Sequence, residues 1–378
     1  MRIGVPKETY RNECRVALVP SMLPSLTKVG AEVLIERSAG ERAGFADKAY
    51  ADKGATIVAS RAELFAQAEV IVQVRGLGAN QDAGHLDIPL LRAGQAVVGF
   101  LDPLGSPEFA RDLAQKGVTA FAIELMPRVA RAQSMDALSS QATISGYKAV
   151  LLAAHHLPRV FPLMMTAAGT LSAARVFVLG AGVAGLQAIA SARRLGAVVE
   201  AYDVRPAVKE QVESVGARFV ELPLETAASE DKSGYAVGQD ESFYRRQRDV
   251  LTRVVTSSDV VITTAAIPGK KSPVLVTREM VEGMQRGSVV VDLAAERGGN
   301  CEATRPDEVV EINGVIILGP TNLPATVPNH ASQMYAKNVT AFLLHLMKDG
   351  RLQLDSDDEI TRETMVTRDG HVVHERVK

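Results

Sequence analysis

The feature that most constrains the fold is a series of short β-branched runs separated by helical patterns, and it occurs twice along the 378 residues. The first series has six runs between Met1 and Leu125, and the second has six between Arg175 and Gly319. Near-continuous apolar strands of this kind indicate a parallel sheet that is covered on both faces. The pattern therefore predicts an α/β fold with two doubly wound domains.

Two long helical patterns indicate how the domains are connected. One covers Ser139–His156 and follows the first series of strands, and the other covers roughly Ala331–Lys348 and follows the second. The simplest arrangement is a discontinuous first domain of residues 1–138 and 328–378, with a Rossmann dinucleotide-binding domain of residues 139–327 inserted into it. A cleft between two such domains is where we expect a ligand.

Composition excludes several classes of protein. The 42 Lys and Arg residues against 44 Asp and Glu give a net charge of -2, which provides no footprint for nucleic acid. Two cysteines, Cys14 and Cys301, cannot build a disulfide framework, and no Cys/His cluster has zinc-ligand spacing. No signal peptide or stretch long enough to insert in a membrane is evident. We expect a metal-free, cytoplasmic protein.

The strongest single motif is the run Gly180-Ala181-Gly182-Val183-Ala184-Gly185, which directly follows a strand and opens a helix. In that context the first glycine permits a tight turn, the second lets the backbone approach a pyrophosphate, and the third packs the helix on the strand. The helix N-terminus adds N–H donors and a positive dipole end. The motif therefore predicts a dinucleotide site.

Asp203 ends the next strand, where a carboxylate accepts hydrogen bonds from the adenosine ribose and repels the 2′-phosphate of NADP. This favours NAD(H) as the nucleotide. Arg205 lies two residues further on, and we interpret it as packing beside the adenine or as a surface charge.

Two polar segments have no single interpretation from the residues alone. The segment from Pro127 to Gln141 joins a strand to the long helix, and Asp136 or Ser139 could simply cap that helix, with Arg128 paired to Asp136. The segment from Glu225 to Phe243 is either a lid over a site or a solvated insertion.

Several longer motifs together resemble the NAD(H)-binding domain I of proton-translocating NAD(P) transhydrogenases. They are RVALVP at 15–20, RAQSMDALSSQ at 131–141, GYKAVLLAA at 146–154, MMTAAGT at 164–170, ITTAAIPGK at 262–270 and VVDLAAERGGN at 290–300. The resemblance spans nearly the whole chain, and the joined RAQSMD and SSQ are far more specific than a glycine fingerprint.

This resemblance implies direct hydride transfer between NAD(H) bound here and NADP(H) bound on a partner, the domain III subunit. It also implies coupling to proton translocation through a transmembrane subunit. The chain is similar to the separate alpha-1 subunits of three-polypeptide systems, which are homodimers held peripherally on the cytoplasmic face of the inner membrane by their partners.

The resemblance also implies roles for individual residues. Four polar residues are expected to orient the nicotinamide for catalysis: Arg128, Gln133, Asp136 and Ser139. The residues expected to bind the cofactor are Val129, Ala130, Ser134, Met135, Gly180, Gly182, Val183, Ala184, Gly185, Asp203, Val204, Arg205, Gly234, Tyr235, Gln247 and Ala266. Gly234 and Tyr235 match the tip of a mobile loop, whereas Gln247 and Ala266 are weaker carry-overs.

The alternative is a soluble NAD-dependent amino-acid dehydrogenase of the alanine type, which shares the fold. That family uses a lysine and a histidine where this chain has Gln73 and Asp102, although Arg15 is retained and Arg75 lies nearby. Without a poised base, amine oxidation loses about 10²- to 10⁴-fold of general acid-base catalysis. A module that binds NAD without catalysis is a further alternative, because binding does not imply catalysis.

Overall fold

The computed structural model describes residues 1–221, 241–267, 269–348 and 350–378. The chain divides into two compact units, one formed by Met1–Gln141 and Pro324–Lys378 and the other by Ala142–Leu323. The sequence-based boundaries are 138/139 and 327/328, whereas the units divide at 141/142 and 323/324. Strands and helices are numbered below in chain order.

The first unit begins with six strands that alternate with short helices. The strands are β1 (Arg2–Val5), β2 (Glu32–Glu36), β3 (Thr56–Val58), β4 (Val70–Arg75), β5 (Ala96–Phe100) and β6 (Thr119–Ala122). The helices are α1 (Leu23–Thr27), α2 (Asp47–Ala51), α3 (Arg61–Gln67) and α4 (Pro107–Gln115). Local signals set these boundaries: Ser60 caps α3 by accepting from the Glu63 amide, and Pro107 opens α4.

The second unit contains the larger part of α5 (Ala137–His156) and nine strands. These strands, counted within the described ranges, are β7 (Met164–Thr166), β8 (Gly169–Leu171), β9 (Arg175–Leu179), β10 (Val198–Tyr202), β11 (Arg218–Phe219), β12 (Val260–Thr263), β13 (Val289–Asp292), β14 (Val309–Ile312) and β15 (Val315–Leu318). Its other helices are α6 (Val183–Arg194), α7 (Lys209–Ser214), α8 (Glu241–Thr256) and α9 (Arg278–Glu282).

The chain then returns to the first unit. The elements there are α10 (Pro328–Leu346), β16 (Met347–Lys348), β17 (Arg351–Leu352), α11 (Glu359–Thr364), β18 (Met365–Arg368) and β19 (His371–Val372). Short 3-10 helices occupy Pro20–Met22, Glu41–Ala43, Leu77–Ala79, Gly84–Leu90, Ile123–Leu125, Ala130–Met135, Pro206–Val208, Ala295–Arg297 and Leu323–Thr326. The edge of Phe121 on β6 packs against Phe342 on α10, with ring centroids 5.7 Å apart, so α10 covers one face of the first sheet.

Both large sheets have the doubly wound strand order. The first runs β19-β18-β6-β5-β4-β1-β2-β3 and the second runs β11-β10-β9-β12-β13-β15-β14. The strands from β3 to β6 and from β11 to β15 pair in parallel, whereas β18, β19 and β14 pair antiparallel at the edges. Two α/β units with parallel sheets confirm the predicted fold class.

Several elements differ from the sequence-based prediction. The strand expected to end at Leu125 stops at Ala122 and continues as a 3-10 helix. The edge strand β14, the hairpin of β18 and β19 and the hairpin of β7 and β8 were not among the predicted strands. They are antiparallel, so they do not have the long apolar runs of the central parallel strands.

Candidate functional site

The second sheet places two loops at its topological switch point. Strand β9 lies between β10 and β12, and the order of the strands reverses there. Ligands of open α/β sheets bind outside the carboxyl ends of the strands at such a point. The loop after β9 begins at Gly180 and the loop after β12 begins at Thr264. The Thr264 hydroxyl donates to the Gly180 carbonyl at 2.9 Å, so the two loops are fixed together.

The three glycines of the loop after β9 are required for different reasons. Gly180 has φ of 94°, a conformation that side chains disfavour, and a Cβ on Gly185 would lie 1.9 Å from the Gly180 carbonyl oxygen. Gly182 has an ordinary φ of -74°, and the nearest atom to a Cβ there would be Nη2 of Arg205 at 4.0 Å. Nothing in the described protein requires a glycine at 182, so its small size leaves space for a ligand.

The helix that follows provides donors for that space. The first intrahelical bond of α6 runs from the Leu186 amide to the Gly182 carbonyl at 2.8 Å. The amides of Val183, Ala184 and Gly185 precede it and therefore have no partner within the helix. Gly182 is the N-cap residue and has no side chain to accept from them. Such an N-terminus is suited to an anion.

Asp203 follows β10 and is buried, and its carboxylate accepts four hydrogen bonds. The Ala181 amide donates to it at 2.8 Å, and the backbone amide, Nε and Nη2 of Arg205 each donate at 2.9 Å. Asp203 thus holds the glycine loop in place. The interpretation of Arg205 as a surface charge is wrong, because its side chain is only 13% exposed and forms an ion pair with Asp203. Val204 between them is half-buried.

The other predicted residues of this unit have different surroundings. Ala266 is exposed in the loop after β12. Gln247 on α8 is fully buried and donates to the Tyr202 hydroxyl at 2.8 Å, and burial raises the pKa of Tyr202 to about 12. Gly234 and Tyr235, with the predicted loop tip, lie outside the described residues.

Two residues without an assigned role hold the loop after β12. The Asn300 side chain pairs with the Ala265 backbone in both directions at 2.9 Å and also donates to the Pro273 carbonyl. The buried Asp292 carboxylate accepts from the amides of Asn300 and Cys301 and from two threonine hydroxyls. The signal in the sequence was an aspartate that ends a buried strand shortly before two glycines.

In the first unit, the segment rich in polar residues forms the 3-10 helix Ala130–Met135, which α10 and a surface ion pair hold in place. Asn338 on α10 donates to the Ser134 carbonyl at 2.8 Å. Arg131 donates to Asp358 at 2.8 Å, and its partner caps α11. Ala132 is buried in the core of the unit, with Val129 and Met135 packed against that core. Ala130 and Ser134 are exposed.

The capping interpretation of Asp136 agrees with the structure. Its carboxylate accepts from the Ser139 amide at 2.8 Å and from the Ser139 hydroxyl at 2.5 Å at the start of α5. Both residues are half-buried, whereas Arg128 and Gln133 are exposed. The segment therefore presents two long polar side chains beside a fixed carboxylate and hydroxyl. Both can orient a polar group such as a carboxamide.

The part of the chain that the structure describes contains no group of three or more His, Cys, Asp or Glu residues arranged to hold a metal ion. Burial raises the pKa of the Cys301 thiol to about 11, so this thiol is not a poised nucleophile. In the same described residues, no helix combines the length and the hydropathy that a membrane crossing requires.

Comparison with known proteins identifies the family. The model of the alanine dehydrogenase/PNT N-terminal domain matches residues 4–145, and that of the alanine dehydrogenase/PNT C-terminal domain matches residues 149–375. The chain belongs to the alanine dehydrogenase/PNT family. Within this family it is 45% identical to the first of the two alpha-subunit polypeptides of the NAD(P) transhydrogenase of Rhodospirillum rubrum, over 99% of this chain and 98% of that protein.

Solved structures of the family agree with this assignment. A transhydrogenase from Sinorhizobium meliloti is 42% identical, with a TM-score of 0.85 and 99% of each chain covered. An L-alanine dehydrogenase is 27% identical, with a TM-score of 0.82, and the match covers 100% of this chain and 98% of the other. The chain is thus a homologue of transhydrogenase alpha-1 subunits and an oxidoreductase of the transhydrogenase family, which confirms the resemblance.

The residues that distinguish the two branches of the alanine dehydrogenase/PNT family are engaged within the first unit. Gln73 is buried and donates to Asp87 at 3.1 Å, and the Asp102 amide donates to Glu124 at 2.6 Å. Arg15 forms a two-point ion pair with Glu13, at 2.8 Å from Nε and 2.6 Å from Nη2. Because Glu13 already neutralises it, this arginine does not offer a free charge to a substrate carboxylate.

Proposed function

We propose that this chain is the NAD(H)-binding alpha-1 subunit of a proton-translocating transhydrogenase. It binds NAD(H) and takes part in direct hydride transfer with NADP(H) held by a partner subunit, the domain III component. A transmembrane subunit couples that transfer to proton translocation. The chain is held on the cytoplasmic face of the inner membrane through these partners.

The space beside Gly182 is the observation that carries the proposal. It lies at the switch point of a doubly wound sheet, in front of the N-terminus of α6, where no atom of the described protein would contact an added Cβ within less than 4.0 Å. The pyrophosphate of a dinucleotide fits this combination of a close backbone and free helix amides. The 45% identity to a transhydrogenase alpha-1 subunit supports the same nucleotide.

The adenosine end of the nucleotide depends on Asp203. For its carboxylate to accept the ribose hydroxyls, the Arg205 side chain has to release at least one of its two bonds to it. The carboxylate remains charged and repels a 2′-phosphate, so NAD(H) is preferred to NADP(H). The backbone bond from Ala181 keeps Asp203 in position during this exchange.

The reacting end requires orientation rather than acid-base chemistry. Bound NAD(H) itself donates or accepts the hydride, and this step has no obligatory protein acid or base. Arg128 and Gln133 have the reach to fix the carboxamide of the nicotinamide, while Asp136 and Ser139 hold a fixed position at the start of α5. Such groups act by positioning the reactants and excluding water.

An exposed hairpin supports a homodimer as the form of the subunit. All residues of β7 and β8 are exposed, including Met165 at 80% and Leu171 at 50%, and residues 160–171 contain no charged residue. A lone two-stranded hairpin is marginal in water, and an apolar patch of this kind marks an interface. A surface without charges is self-complementary, which suits the symmetric contact of two identical chains.

The test is a reconstitution of the reaction. The chain is mixed with the NADP-binding component of a transhydrogenase loaded with NADP+, NADH is added, and NADPH formation is measured. A parallel sample receives NAD+ and L-alanine without the partner. The proposal predicts NADPH in the first sample and no NADH in the second, whereas the opposite result would assign the chain to the amino-acid dehydrogenases.

A further inference from the structure

A buried ion pair lies beside the first turn of α5 in the first unit. Glu13 and Arg15 are 1% and 4% exposed, and the guanidinium meets both carboxylate oxygens at 2.6 to 2.8 Å. The Arg15 backbone amide also donates to Glu13 at 2.9 Å. Burying two charges costs several kcal/mol, and such pairs often add little stability compared with apolar residues. The pair therefore invites a specific role.

Gln141 connects this ion pair to the helix. Arg15 Nη1 donates to the Gln141 side-chain oxygen at 2.9 Å, and the Gln141 side-chain nitrogen donates to the Ala331 carbonyl on α10 at 3.1 Å. These two bonds fix which way the amide faces. Gln141 lies two residues after Ser139, so the connection holds the same first helical turns that Asp136 caps.

We propose that Glu13, Arg15 and Gln141 are positioning residues for hydride transfer. Glu13 orients the guanidinium of Arg15, Arg15 holds Gln141, and Gln141 holds the start of α5 at the height and rotation that Asp136 and Ser139 need. This rests on the proposed function, since it assigns these two residues to the reacting end of the nucleotide. A displacement of about 1 Å at such a site costs on the order of 10²-fold in rate.

The variant that isolates the connection is Gln141→Asn. It keeps an amide, withdraws it by one methylene and leaves the ion pair between Glu13 and Arg15 intact. The matched control is Gln95→Asn in the same unit. Gln95 is equally buried, and its side chain donates to the carbonyls of Phe65 and Ala68 at 2.7 Å, at the amino end of β5.

Three measurements are compared between the two variants: amide hydrogen exchange at 139–141 without nucleotide, the NADH dissociation constant, and single-turnover transfer to an NADP+-loaded partner. We expect faster exchange at 139–141, a dissociation constant within about threefold of wild type and transfer slowed by at least about tenfold in Gln141→Asn alone. Transfer equal to that of Gln95→Asn, or a loss of affinity as large as the loss of rate, would overturn the inference.

A second variant tests the acidic member of the set. Glu13→Ala leaves Arg15 without its carboxylate, and added formate can occupy the vacated space. We expect slowed transfer that formate partly restores, whereas chloride at the same ionic strength does not. Restoration by neither anion in a folded variant would contradict the role of Glu13. If the wild-type chain does not transfer hydride at all, the proposed function itself fails; if only the variants match wild type, the positioning role alone fails.

Discussion

Substituting Gly182 by alanine separates the ligand space from the fold. An added Cβ would lie no closer than 4.0 Å to any described atom outside its chain neighbours, and the local φ of -74° and ψ of -165° are accessible to alanine. Loss of a glycine from the unfolded chain and the slightly poorer N-cap act in opposite directions. The free energy of unfolding should therefore change by less than about 1 kcal/mol.

The affinity for NADH should respond much more strongly than the stability. The new methyl group lies where the pyrophosphate approaches the backbone, and the nucleotide has to retreat from the α6 amides to avoid it. Retreat weakens charge-assisted hydrogen bonds that contribute about 1.5–3 kcal/mol each. We expect the NADH dissociation constant of Gly182→Ala to rise by at least about tenfold, which is about 1.4 kcal/mol.

The control for this experiment is Gly185→Ala, three residues further along. Its Cβ would lie 1.9 Å from the Gly180 carbonyl oxygen, so α6 has to shift from the strand and the fold loses about 1–3 kcal/mol. Thermal melts without nucleotide and calorimetric NADH titrations measure both effects. A Gly182→Ala variant that binds NADH as wild type does would refute the pyrophosphate site, and one as unstable as Gly185→Ala would refute the packing argument.

Three further predictions concern single side chains. Asp203→Ala should weaken NADH binding about ten- to hundredfold, and wild type should bind NADPH far more weakly than NADH; equal titration of both nucleotides would contradict the ribose assignment. Gln133→Asn should keep near-normal NADH affinity and slow single-turnover transfer on the order of a hundredfold, a separation that a general binding role would not give. Burial, opposed by hydrogen bonds from the Leu101 and Asp102 amides, raises the pKa of Glu124 to about 7 from its ordinary 4.5, so the folded state binds a proton that the unfolded state releases, and stability falls as pH rises from about 4.5 to 7. Glu124→Gln should remove up to about 3 kcal/mol of that fall in pH-dependent denaturation, and an unchanged slope would contradict it.

The central strands and their parallel order followed from the sequence because burial on both faces requires continuous β-branched runs. The edge strands required a different signal. Asn313-Gly314 joins β14 to β15, and Asp369-Gly370 joins β18 to β19, with positive φ at all four residues. Both dipeptides are strong indicators of a two-residue hairpin, so these strands were predictable from turn chemistry rather than from hydropathy.

The candidate site was predictable only in part. The glycine loop and Asp203 follow from a local pattern whose mechanism is known. The ion pair of Asp203 with Arg205 depends on a side-chain rotamer, and the role of Asn300 depends on a loop that returns from the next strand. The link from Arg15 to Gln141 joins residues far apart in the chain. Such contacts are tertiary, and no periodicity or short motif contains them.

The most direct test of the central claim follows the hydride itself. NADH with deuterium at the transferred C4 position is bound to this chain, and the complex is mixed with an NADP+-loaded partner for a single turnover. We expect the deuterium to appear in NADPH and not in water, because the two nicotinamides exchange hydride directly. Deuterium released to solvent, or no NADPH from a mixture in which NADH is demonstrably bound, would contradict direct transfer.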